Sequence, residues 1–177
     1  MDDVTIEPID LAARAEEALA VQALAFGLTD EEVAVRLQIV TRHAEYPGVI
    51  ALGALHGRRL VGFGYGMPNH RGHWWSTVIQ PYLEATGNGR WLDDSFAVTE
   101  LHVLPAHQGR GLGRTMISEL CERSGLPRSI LSAIDEETPA RRLYRGLGYA
   151  DLARPVLFPN TDRPYAVMGA DLPLRRR

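Results

Sequence analysis

The chain has 177 residues, 45% hydrophobic and 23% charged, with a formal net charge of −3; this is an ordinary globular composition, long enough for one domain and short for two. The small net charge argues against nucleic acid as the main partner. One cysteine, Cys121, excludes an internal disulfide, and no apolar run approaches the roughly 20 residues of a membrane span, so no membrane partner is expected. The acidic start, MDDVTIEPID, lacks the regions of a signal peptide, which makes a cytoplasmic location the default expectation. All 19 basic residues are arginines, and Arg175, Arg176 and Arg177 read as a short solvated tail.

Residues 4–9 predict a strand. Asp10 stands where it would cap a helix over 11–26, ended by Gly27, and Thr29 or Asp30 would cap a second helix to about His43. Beyond the turn at Tyr46-Pro47-Gly48, residues 49–55 and 59–65 read as a hairpin joined by His56-Gly57. Residues 67–94 read as a long loop carrying Trp74, Trp75, Tyr82 and Trp91, broken at Gln80-Pro81 and Gly87-Asn88-Gly89; residues 75–78 suit a short helix or a strand. Loops of that length are usually functional or mobile. Residues 95–103 form the central strand, 111–124 a helix and 129–134 the next strand. Pro139 opens a helix to about Arg145, with Gly146 and Gly148 near its end. Residues 149–153 and 165–169 close the chain as strands, with Pro155, Pro159 and Pro164 marking an irregular link.

The stretch LHVLPAHQGRGLGR, residues 101–114, carries the most chemical information. A strand ends near Val103, a Pro-containing turn follows, and Gln108, Gly109, Arg110, Gly111, Leu112, Gly113 and Arg114 fall where a helix begins. Alternating glycines let the backbone curl so that several N–H groups face one point. A helix start adds unpaired N–H groups and a positive dipole end, and two arginines add full charge. The result is a cradle for an anion such as a pyrophosphate. It is not a P-loop, because the chain contains no lysine. Nor is it a dinucleotide fingerprint, because the spacing is G-x-G-x-G and the loop lies past the middle of the chain.

The spelling of Gln108 to Gly113 resembles the Q/R-x-x-G-x-G/A loop of the GCN5-related N-acetyltransferase (GNAT) superfamily. Glu100-Leu101-His102-Val103-Leu104-Pro105 is similar to that family's fourth strand, and Ala140-Arg141-Arg142-Leu143-Tyr144, running on to Gly148-Tyr149, to its helix-to-strand signature. The resemblance covers residues 95–149. It implies a single domain over 1–177 of α/β (α+β) class: a mixed, mostly antiparallel twisted sheet flanked by helices, with splayed central strands and an aromatic-rich insertion at about 67–94. It implies acetyl-CoA as co-substrate, its pyrophosphate on residues 108–114 and its pantetheine arm against backbone groups of Leu101, His102 and Val103. It implies Tyr144 near the departing sulfur, where a phenol could protonate a thiolate.

For the base, Glu100 is the first candidate and His102 the second, with a water chain as the alternative; strand alternation puts Glu100 and His102 on one face. Where many family members carry asparagine, seven residues before the tyrosine, this chain has Glu137, which cannot donate the amide's hydrogen bonds. His70 and His73 have metal-ligand spacing, but Pro68, Gly72 and the lack of a third ligand argue against a metal. Trp75 and Trp91 are candidate walls of an acceptor pocket, with Asp93 and Asp94 drawing in a cationic amine; the alternative is that the aromatics complete the core or a homodimer interface. The expected activity is acetyl transfer to a primary amine of a small molecule. Acetylation of a protein or peptide, or non-catalytic sensing of an acyl-CoA, are the competing readings.

Overall fold

The structure is a computed structural model describing residues 3–176; Met1, Asp2 and Arg177, at the ends of the acidic start and the arginine tail, lie outside the described residues. The elements are β1 (Val4–Pro8), α1 (Ala15–Phe26), α2 (Asp30–His43), β2 (Ile50–His56), β3 (Arg59–Pro68), α3 (Trp74–Ala85), β4 (Ser95–Val103), α4 (Leu112–Ser124), β5 (Arg128–Ile134), α5 (Pro139–Leu147), β6 (Ala150–Val156) and β7 (Tyr165–Asp171). Short 3-10 turns occupy Gly89–Leu92 and Pro105–His107. The strands form a mixed sheet in the order β1-β2-β3-β4-β5-β7-β6. Pairing is antiparallel for β1–β2, β2–β3, β5–β7 and β6–β7, and parallel for β4–β5 at Ser95↔Arg128, Phe96↔Ser129 and Ala97↔Ile130. This is the mostly antiparallel α/β class expected from the sequence.

The chain divides into two compact units. The first comprises Met1–Met67 and Val98–Arg123. Its α2 begins with a capping box: Thr29 Oγ1 accepts from Glu32 N–H at 3.2 Å, and the Glu32 carboxylate accepts from Thr29 N–H at 2.8 Å. Thr29 rather than Asp30 is therefore the cap. Asp10 accepts from Ala13 N–H at 3.0 Å, but it closes only a turn, and regular helix starts at Ala15. Ala18 and Leu19 of α1, Ala54 of β2, Leu60, Phe63 and Tyr65 of β3, and Met116 of α4 form the core of this unit.

The second unit comprises Pro68–Ala97 and Ser124–Arg177. Here the structure corrects the reading of residues 67–94 as a loop. β3 continues through Pro68, and Trp74–Ala85 is a helix with Pro81 inside it. Trp75, Val78, Ile79, Tyr82 and Leu83 recur at helical spacing and pack in one cluster with Trp91, Leu92, Leu152 and Val156. Pro81 forfeits one backbone hydrogen bond, and the buried face of the helix outweighs that loss. Pro155 lies within β6 rather than in an irregular link; β6 is an edge strand, where a missing N–H need not interrupt a ladder. At the start of α5, Thr138 Oγ1 accepts from Arg141 N–H at 3.2 Å, with Pro139 at the first position.

Candidate functional site

The loop between β4 and α4 has the form the sequence predicts. Gly109 and Gly111 have φ of 76° and 79°, a conformation that costs other residues a Cβ clash with their own backbone. A Cβ at either glycine would meet no other atom within 4 Å, so the requirement is conformational. The first backbone bond of α4 is Thr115 N–H to Gly111 O, 3.0 Å. Among the described residues the backbone N–H groups of residues 109–114 donate no hydrogen bond. Arg110 and Arg114 have no carboxylate partner among them either; Arg110 reaches only Ala106 O, at 3.5 Å. Gln108 folds back, its amide donating to Val103 O at 2.9 Å, which ties the loop to the end of β4. Leu112 and Gly113 form the first turn of α4.

On β4, Glu100 and His102 come together on one face as alternation requires, with Glu100 Oε2 2.6 Å from His102 Nε2. Leu101 and Val103 turn the other way, into the core of the first unit. β3 seats this strand closely: a Cβ at Gly62 would lie 3.1 Å from His102 O, and one at Gly64 2.9 Å from Leu101 Cδ1 and 3.3 Å from Glu100 O. Arg36 of α2 places Nη1 3.5 Å from Glu100 Oε1. Burial pushes the Glu100 carboxyl up, but the His102 hydrogen bond and the charges of His102, Arg36 and His43 outweigh it and hold the group below its ordinary range. Beneath lies Tyr65, fully buried, with its hydroxyl 2.9 Å from His43 Nδ1. Burial first, then the Glu100 charge, raises this phenol well above its usual value against the opposing Arg36 charge, so it stays neutral. Phe26, at the end of α1, meets His102 edge-on at 5.9 Å, and Phe63 lies 5.6 Å from the same imidazole.

Sequence reasoning missed Arg36, His43, Tyr65 and Phe26. Their relation to β4 arises from tertiary packing of elements far apart in the chain, which leaves no local spelling to read.

In the second unit, Tyr144 is buried in α5 and meets Tyr149 edge-on at 5.8 Å. Arg141, one turn earlier and 3% exposed, lies between Asp135 and Asp151 and anchors the helix. Glu137 is engaged by Arg145 and lies 3.7 Å from Arg142; the Arg145 hydrogen bond, ahead of a small opposing burial effect, lowers its carboxyl. Trp91 is a core residue, with Arg128 5.6 Å over its ring and its edge where a Cβ of Gly169 would lie. Trp75 is half-buried, with Nε1 3.4 Å from Ser132 Oγ. Asp93 is forked by Arg71, two contacts of 2.7 Å, so its charge is already matched. The His70 and His73 rings are 5.5 Å apart, and His70 Nδ1 accepts from Gly72 N–H.

The acetyltransferase (GNAT) family model matches residues 15–149, from α1 through the end of the α5 signature. The chain belongs to the GNAT family. A GCN5-like protein acetyltransferase of Mycobacterium tuberculosis is 35% identical in a match that covers 65% of this chain and 60% of that protein. The match thus spans less than two thirds of that relative. Among solved structures, the ribosomal-protein-S18-alanine N-acetyltransferase of Escherichia coli superposes with a TM-score of 0.69 at 15% identity, covering 99% of this chain and 97% of that one. The PaiA N-acetyltransferase of Thermoplasma acidophilum, in complex with coenzyme A, gives 0.63 at 12% identity over 94% and 99% of the two chains. At these identities the superpositions speak for the GNAT fold alone.

Proposed function

We propose that this chain is an acetyl-CoA-dependent N-acetyltransferase that moves an acetyl group to the primary amine of a small molecule by direct attack in a ternary complex. The observation that carries this reading is the loop at residues 108–114. Its N–H groups, unpaired among the described residues, its two left-handed glycines and its two arginines without carboxylate partners among those residues match the chemistry of a pyrophosphate. Family membership supports acetyl-CoA as the donor, as does the coenzyme A complex of a protein sharing the fold.

Acetyl-CoA supplies an activated thioester. The amine nitrogen attacks its carbonyl carbon, the carbon–sulfur bond breaks, the amine gives up a proton, and the thiolate takes one. In this reading Leu101 offers backbone groups to the pantetheine arm as an extra strand would; the His102 carbonyl, expected beside it, faces β3 at Gly62, and the Val103 carbonyl is already held by Gln108. A carboxylate held below its ordinary range attracts a cation better than it removes a proton. Glu100 is therefore assigned to receive the arriving ammonium and to orient His102, and His102 to accept the proton. The second nitrogen of His102 makes no hydrogen bond among the described residues. Tyr144 protonates the thiolate. Trp75 contributes to the acceptor side, and Trp91 supports it from the core. No metal takes part, and a cytoplasmic location belongs to the same reading.

A second reading, a protein or peptide acceptor, is favoured by the mycobacterial relative, which is named a protein acetyltransferase. Release of free thiol from acetyl-CoA, measured over a panel of amino acids, polyamines, aminoglycosides and short peptides, tests both. Amine-dependent release supports catalysis. Binding of acetyl-CoA with no release for any amine leaves a sensor, and peptide-only release moves the assignment to the second reading.

A further inference from the structure

Four side chains of the first unit close into a ring. Glu100 lies 2.6 Å from His102, His102 meets Phe26 at 5.9 Å, Phe26 carries the Arg36 guanidinium over its face at 5.9 Å, and Arg36 returns to Glu100 at 3.5 Å. The ring is open to solvent to different degrees. The Arg36 side chain is 35% exposed and that of Glu100 20%, and Phe26 is 44% exposed.

Arg36 is the unexplained member. A guanidinium has five N–H donors in a fixed fork. Were Arg36 only the counterion of Glu100, the economical geometry would be a bidentate pair at about 2.7–2.9 Å. Instead Glu100 gives Oε2 to His102, and the single Arg36 approach is 3.5 Å. Among the described residues Arg36 donates no hydrogen bond at all. Its fork is held over an aromatic face beside a carboxylate, with its donors unspent.

From this we infer that the acceptor is an apolar α-amino acid, whose carboxylate is held by Arg36 while its amine meets Glu100 and His102. In an α-amino acid the ammonium and the carboxylate hang from the same carbon. That pair of opposite charges is complementary to Glu100 and Arg36 standing side by side. The side chain on that carbon then meets Phe26, which is 44% exposed. This rests on the acetyltransferase reading, and names its substrate class.

The test uses matched acceptors with acetyl-CoA and follows thiol release: L-leucine, L-leucinamide and 3-methylbutylamine, then L-phenylalanine, L-phenylalaninamide and phenylethylamine. The free acids should exceed both partners in kcat/KM by about 10- to 100-fold, the worth of a charge-assisted hydrogen bond. Amine basicity cannot produce that order, because the amides have the less basic amines and so the larger reactive fraction at neutral pH. Arg36→Met keeps the apolar stem and should collapse the preference for the acid, chiefly through KM. Arg36→Lys keeps charge without the fork and should restore part of it. Equal turnover of acids, amides and amines, or faster turnover of leucinamide or a leucine-initiated dipeptide, overturns this assignment and leaves the acetyltransferase reading standing. Absence of thiol release with every acceptor overturns both.

Discussion

Gly111 and Gly125 allow the cradle to be tested with an internal control. Both have left-handed φ, 79° and 66°, and at both a Cβ would meet nothing within 4 Å. Alanine at either position therefore has the same cost, the strain of a Cβ residue in that conformation, about 1–2 kcal/mol. For a chain of this size that is a fall in Tm of roughly 2–8 °C. The two differ in what the backbone does next. Gly125 follows α4, whereas Gly111 sets the direction of the N–H groups that open it. If the loop relaxes to relieve the strain, Gly111→Ala turns one or more of those donors away. Losing one hydrogen bond to a charged phosphate lowers coenzyme A affinity about 10- to 100-fold. Calorimetric titration with coenzyme A at fixed ionic strength, beside thermal melts, should show two variants of similar stability, only one of them impaired in binding. If Gly111→Ala binds coenzyme A as tightly as Gly125→Ala does, residues 108–114 are not the pyrophosphate site.

Tyr144→Phe keeps the edge-on ring contact with Tyr149 but removes the phenol proton, so turnover should fall while coenzyme A affinity holds; equal turnover at saturating substrate would make Tyr144 a packing residue. Glu100→Gln should lower kcat/KM for cationic amines while Glu100 is ionised, and the gap to the parent should close as pH falls through its lowered carboxyl range. It should also flatten the acid side of the stability profile. With its folded carboxyl held low, Glu100 contributes stability that is full above the ordinary range, near pH 4.3, and is lost as pH falls through the lower folded value; unchanged acid melts would contradict the Arg36 and His102 contacts. Trp91→Ala should cost about 3–5 kcal/mol, as removal of a buried aromatic does, with little change in acceptor KM for the folded fraction. Trp75→Ala should raise acceptor KM; if it alters only Tm, the half-buried indole belongs to the core as well.

The loop at 108–114 and the strand before it were legible because their chemistry is local. Glycine spacing, a helix start and two arginines sit within seven residues, and Glu100 and His102 share a face by strand alternation alone. Helix α3 was harder to read because Gln80-Pro81 resembles a break. Whether one lost hydrogen bond ends a helix depends on what its apolar face buries, and that face is completed by Leu152 and Val156, some seventy residues later. Trp91 looked like a pocket wall for the same reason: the glycine that accommodates its ring is Gly169. Arg36 carried no signal, because it lies far from Glu100 in the chain and nothing on α2 spells an anion site. Glu137, noted as a departure from the family pattern, turns out to be occupied by Arg145 and Arg142.

The outer strands bear on how copies of this protein meet. The sheet ends at β1 on one side and β6 on the other, and each carries proline: Pro8 closes β1, and Pro155 is the penultimate residue of β6, next to Arg154. An edge with a missing donor and a charge beside it is a poor template for a strand from a neighbouring chain. Self-association by sheet extension, and the aggregation that follows from it, is disfavoured at both ends. A homodimer of this chain would have to be built from helix or side-chain surfaces instead.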